Sequence, residues 1–125
     1  MSESSHIERA RERLRRRAQA RAVADEALRT QAAADAEAII RMVGAKYRPT
    51  RIYQWGSVLR PGGFRQYSDI DLATEGITDP QTHFALLGEA QGMTRFPLDL
   101  VQMEKIAPEH AADIRQHGKV VYEQH

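Results

Sequence analysis

Cysteine is absent from this chain of 125 residues, so neither a disulfide nor a thiolate metal site can hold it together. Packing has to do so, and a domain of this size buries roughly two-thirds of the surface that its unfolded form exposes. The missing thiols also fit a reducing compartment. Long apolar runs are missing too: none approaches the roughly 18 residues of a membrane-spanning helix, and no signal-peptide pattern opens the chain. A soluble cytoplasmic protein with no membrane partner is expected. Aromatic residues make up only 6%, and none of the five prolines precedes Pro49. The first part of the chain therefore lacks the residue that most strongly breaks helices.

What the chain does have, near its start, is arginine. Arg9, Arg11, Arg13, Arg15, Arg16, Arg17 and Arg21 fall within thirteen residues, opposed there only by Glu12, although the net charge is just +1. Such a block reads first as the solvated face of a helix. An arm for nucleic acid or an acidic partner is the alternative, and nucleic acid is expected through this segment or not at all.

Ser5 and Glu8 have the spacing of a capping box, and Ala, Arg, Glu and Gln carry a long N-terminal helix to about Lys46, continuous or broken. In its second half Ala32, Ala36, Ile39, Ile40, Val43 and Tyr47 form an apolar stripe at helical spacing. The first half has Ile7, Leu14 and little else large, so it projects, frays or meets a partner. Pro49 closes the segment. Strands are expected over Arg51–Gly56, Ser68–Ala73 and Pro97–Met103, with a loop at Pro61-Gly62-Gly63. A helix over Thr82–Ala90 offers Phe84, Leu86 and Leu87 for burial. A last helix spans Pro108–His117, and Val120–Tyr122 adds a short edge strand. The expected fold is α+β, a small mixed β-sheet flanked by helices. Residues 1–30 form a basic helical extension, and residues 31–125 the domain.

Asp69 and Asp71 lie two apart on an expected strand, so both side chains leave one face. Two carboxylates that close repel, and one tends to take up a proton unless a cation sits between them. Magnesium suits such oxygen ligands, usually with phosphate oxygens and water completing its octahedron. Asp99 alternates with Leu98 and Leu100 on the third strand. If that strand neighbours the second, the three acids can share a site, and three carboxylates suit two metal ions about 3.5–4 Å apart. Gly56-Ser57 follows the first strand; its glycine admits a phosphate close to the backbone, a following helix start would add free amides, and the Ser57 hydroxyl can donate to the same group. Each fragment alone is a weak signal. Their order along the chain is a strong one.

Gly56-Ser57, the loop after it, Asp69-Ile-Asp71 and Asp99 within Pro-Leu-Asp-Leu-Val together resemble the DNA polymerase beta-like nucleotidyltransferase superfamily, in its minimal nucleotidyltransferase (MNT) branch. The resemblance covers about Arg51 to Tyr122 and implies a polymerase beta-like fold. It also implies two Mg²⁺ ions on Asp69 and Asp71, with Asp99 completing the metal site and helping to activate an acceptor hydroxyl. Gly56, Ser57 and Arg60 would hold the triphosphate of ATP. Eleven residues separate Ser57 from Asp69, one more than is usual in the family, and the extra one falls near Pro61-Gly62-Gly63. Many members of the branch are antitoxins encoded beside a HEPN-domain toxin, and some attach AMP to a tyrosine of that toxin. The implied activity is magnesium-dependent transfer of AMP to a partner protein, with a HEPN-domain toxin as partner. An antitoxin acting by binding alone, or transfer to a small molecule, is the alternative.

Other residues have plainer readings. Arg60 and Arg65 either contact phosphates or are solvated loop residues. Trp55 and Tyr53 read as core packing before base stacking. Glu75 and all five histidines read as surface residues, because the histidines have no metal-ligand spacing on a common element.

Overall fold

A computed structural model describes residues 3–66 and 68–125. Its first element is a single unbroken helix, α1 (Glu3–Lys46), of 44 residues. At about 1.5 Å per residue it is roughly 66 Å long. Ser5 lies inside it and is not its cap, because nothing in the Ala/Arg/Glu-rich stretch interrupts the helix there. The chain leaves α1 through Arg48, whose φ of 51° is left-handed, and Pro49 follows. Lys46 and Tyr47 both reach Glu89 of the next helix, Tyr47 through a 2.8 Å hydrogen bond from its hydroxyl.

The remaining elements are β1 (Arg51–Trp55), a single 3-10 turn (Ser57–Leu59), β2 (Ile70–Glu75), α2 (Pro80–Gln91), β3 (Leu98–Gln102), α3 (Pro108–His117) and β4 (Lys119–Glu123). The sheet has the order β3-β2-β1-β4. It is mixed: β2 and β3 run parallel, while β1 is antiparallel to both β2 and β4. A parallel pair needs a crossover, which α2 supplies. Asp79 caps α2 by accepting the Thr82 amide at 3.0 Å, and Pro80 occupies its first turn.

Alternation along the strands makes two cores. On one face Ile52, Ile70, Leu72 and Leu100 pack under α1 and α2, against Ala32, Ala36, Ile39, Val43, Leu86 and Ala90. On the other, Tyr53, Ala73 and Met103 pack with Ala111 and Ile114 of α3. Gly44 lets α1 approach β4, since a Cβ there would stand 2.6 Å from the Tyr122 ring.

Three expectations need correcting. Phe84 is 76% exposed: on a helix it points about 200° from Leu86, so the two cannot share one buried face. Glu75 is half-buried and bridges Arg51 at 3.0 Å and Arg115 at 3.3 Å, tying the sheet to α3. His83 is half-buried as well, and its Nδ1 is enclosed without a partner.

The two halves of α1 should differ sharply in what they contribute. Ile39 is fully buried and Ile7 is 51% exposed. Ile39→Ala should cost about 2–5 kcal/mol in urea unfolding. Deleting Met1–Arg21 should leave one cooperative transition with a nearly unchanged midpoint, and loss of that transition would place the basic half in the core.

Candidate active site

The site is built on the α3 side of the sheet. Parallel pairing sets Asp71 opposite Asp99, and antiparallel pairing sets Trp55 opposite Asp71. Opposed residues share a face, so Asp99, Asp71 and Trp55 stand in a row across three strands. Asp71 is half-buried, whereas Asp99 is exposed on β3, an edge strand. Asp69 is exposed and sits just before β2, not within it. Ladder pairing begins at Ile70, whose amide donates to the Pro97 carbonyl at 2.9 Å.

Burial pushes the Asp71 carboxyl up to about 7, helped by the neighbouring charges of Asp99 and then Asp69, while the Arg60 guanidinium pulls the other way. The two aspartates thus act electrostatically on Asp71, and the exposed Arg60 stands close enough to oppose them. Among the described residues, no three His, Cys, Asp or Glu side chains converge into a metal cage of their own. The donors are hard carboxylate oxygens, of the kind magnesium takes one or two at a time while phosphate and water supply the rest. Asp71 and Asp99, with Asp69 nearby, fit that pattern.

Gly56 follows β1 with φ 87°. A Cβ at this position would collide with the Asp71 carboxylate, so only glycine lets the turn lie against it. The half-buried Ser57 then opens a three-residue 3-10 turn, closed by amides donated from Leu59 to Gly56 at 3.2 Å and from Arg60 to Ser57 at 3.1 Å. No long helix begins here, so a helix dipole has little to offer a phosphate. The Ser57 hydroxyl and nearby backbone remain as donors.

The loop back to Asp69 is pinned at both ends. Val58 and Phe64 are buried, Phe64 edge-on to Phe96 at 5.7 Å. Arg29 of α1 donates to the Val58 carbonyl at 2.9 Å. Arg65 donates to the Gly62 and Phe64 carbonyls at 2.8 and 3.1 Å and lies 3.7 Å from Asp25 of α1. These contacts give Arg65 a structural part in holding the loop to the helix.

Sequence reasoning missed His110. Its ring meets Trp55 edge-on at 5.8 Å, so the pair walls the site next to Asp71. Trp55 is half-buried and faces the carboxylates while also packing on the α3 core. No spacing pattern links these two residues; only the docking of α3 on β1 brings them together.

No protein-family model matches the sequence, and no curated protein matches it. Solved structures do share its fold. One is a toxin-antitoxin complex with AMP-PNP, at 22% identity and a TM-score of 0.59, covering 70% of this chain and 73% of that chain. Another is the toxin-antitoxin MntA-HepT, at 18% identity and a TM-score of 0.55, covering 72% and 71% respectively. A third is a tri-AMPylated Shewanella oneidensis HEPN toxin in complex with MNT antitoxin, at 20% identity and a TM-score of 0.56, covering 74% and 73%. This chain therefore has the α+β fold found in MNT–HEPN complexes.

The raised Asp71 carboxyl sets a pH dependence. Between its ordinary value of 3.8 and about 7, the folded chain holds a proton there that the unfolded chain has lost. Metal-free stability should therefore fall as pH rises through that window. Solvent screening at this half-exposed group limits the effect to the order of 1–2 kcal/mol. Urea midpoints from pH 4 to 8 should show the fall in the wild type and not in Asp71→Asn; identical profiles would contradict the assignment.

Proposed function

We propose that this chain is a minimal nucleotidyltransferase of the antitoxin kind, moving AMP from ATP to a side-chain hydroxyl of a HEPN-domain toxin in a magnesium-dependent reaction in the cytoplasm. The observation that carries this reading is the Asp71–Asp99 register pair beside Gly56, within a fold shared with MNT–HEPN complexes. One solved structure of this fold is a toxin-antitoxin with AMP-PNP, and another is a tri-AMPylated HEPN toxin in complex with MNT antitoxin.

In this reading Asp69 and Asp71 hold magnesium and Asp99 completes the site. Bound there, magnesium would neutralise charge on the triphosphate oxygens. The Gly56 turn admits the triphosphate to the backbone, the Ser57 hydroxyl donates to it, and Arg60 supplies a charge-assisted donor. Asp99 is exposed on an edge strand, where a docked protein can bring a hydroxyl to it. The acceptor oxygen bonds to the α-phosphorus as the bond from that phosphorus to the β-bridging oxygen breaks. Pyrophosphate leaves, and the hydroxyl proton passes to the Asp99 carboxylate and on to solvent.

A protein acceptor is favoured by how the chain is used. The turn and helices after Arg51 pack on the sheet, and the carboxylates lie toward its β3 edge, where the surface of a docked protein can hold a hydroxyl in line. Intact-mass spectrometry of a HEPN-domain protein from the same genome, incubated with this chain, ATP and Mg²⁺, tests the proposal. One or more AMP adducts on tyrosine, serine or threonine are expected, and none with Asp99→Asn. An unmodified toxin inhibited by stoichiometric docking would make the chain an antitoxin by binding alone.

A further inference from the structure

The first half of α1 leaves the body of the protein. Residues 3–24 are exposed almost throughout, and the rise of the stretch before Ala18 adds up to roughly 22 Å of overhanging helix. Contact with the body starts near the loop: Ala18, Arg21, Ala22 and Asp25 line a cleft with Gly62 and Arg65.

The overhang has a direction. Ile7, Leu14, Ala18, Asp25, Ala32, Ala36, Ile39 and Val43 follow one another at steps of three, four or seven, so they form one stripe along the helix. Its later members are core. Its middle member, Asp25, meets the loop. Its early members, Ile7 at 51% and Leu14 at 61% exposure, extend the core-facing side beyond the point where the body ends. Arg11 and Arg15 flank this apolar seam on one side, Arg17 and Arg21 on the other.

From this geometry we infer that the overhang docks an acidic, amphipathic helix of a partner protein, whose apolar face covers Ile7, Leu14 and Ala18 and whose carboxylates meet the flanking arginines. Charge decides among the occupants. Seven arginines against three glutamates between Glu3 and Arg21 would oppose a second copy of the same helix. A nucleic acid would use the arginines but leave the leucine–isoleucine seam uncovered, whereas helix-in-groove binding uses both. The seam continues the side that meets the loop between Gly56 and Asp69, so a partner seated there stands beside the proposed phosphate site.

The inference rests on the proposed pairing, and takes the partner to be the same HEPN-domain protein. Its test is the affinity of that protein for the full chain, for Ile7→Gln/Leu14→Gln and for Arg11→Gln/Arg17→Gln, with urea midpoints and adduct formation at saturating partner measured alongside. Glutamine keeps helix propensity. Both variants should keep the wild-type midpoint and adduct yield at saturation while binding at least tenfold more weakly, and the arginine variant should lose part of the salt dependence. Wild-type affinity in both would overturn the docking surface and leave the transferase reading standing. A full chain that does not bind the protein at all would overturn the pairing, and this inference with it. Two further results would overturn it in favour of another occupant. One is retention of a short RNA duplex that only the arginine variant loses; the other is a dimer, seen by light scattering, that the glutamine seam dissolves.

Discussion

Two carboxylates face each other across the only parallel pair in the sheet, and much of the molecule's arrangement follows from that opposition. Asp71 and Asp99 are in register on β2 and β3, and the half-burial of Asp71 makes its charge costly. Packing cannot be the reason for the pair, since replacing either acid by a neutral residue would relieve repulsion. The pair is explained if a bound metal ion adds positive charge to the small opposing influence of Arg60. The same carboxylate dictates glycine at position 56, where any side chain would strike it. Strand, turn and acid are thus coupled through one contact.

Much of this arrangement was legible in the sequence. Alternation around Asp99 and the position of Gly56 after a β-rich run needed only strand periodicity, and the absence of proline before Pro49 foretold the long helix. The start of β2 was less legible. Ser68-Asp69 alternates as a strand does, but the ladder opens at Ile70 because its first partner is the carbonyl of Pro97, a residue nearly thirty positions away. Strand order itself, which makes Asp71 and Asp99 neighbours, is a tertiary fact. The sequence supplied it only as a condition.

Side-chain partners were the least legible. Arg60 and Arg65 look alike in the loop, yet one opposes the charges around Asp71 and the other grips the loop and Asp25. Glu75 looks like a strand-end surface charge and instead joins β1, β2 and α3 through two arginines. Each outcome depends on the long helix and α3 being in place. Helix α1 thus has two roles along its length, a packed half that supports the sheet and a charged half that reaches past it.

The central claim is that the aspartate pair binds a metal-loaded nucleoside triphosphate. Calorimetric titration of AMP-PNP into the wild-type chain and Asp71→Asn, each with and without Mg²⁺, tests it most directly. Binding that requires Mg²⁺ and disappears in Asp71→Asn is the predicted result. Binding that is indifferent to both, or no binding by the wild type with Mg²⁺ present, would contradict it.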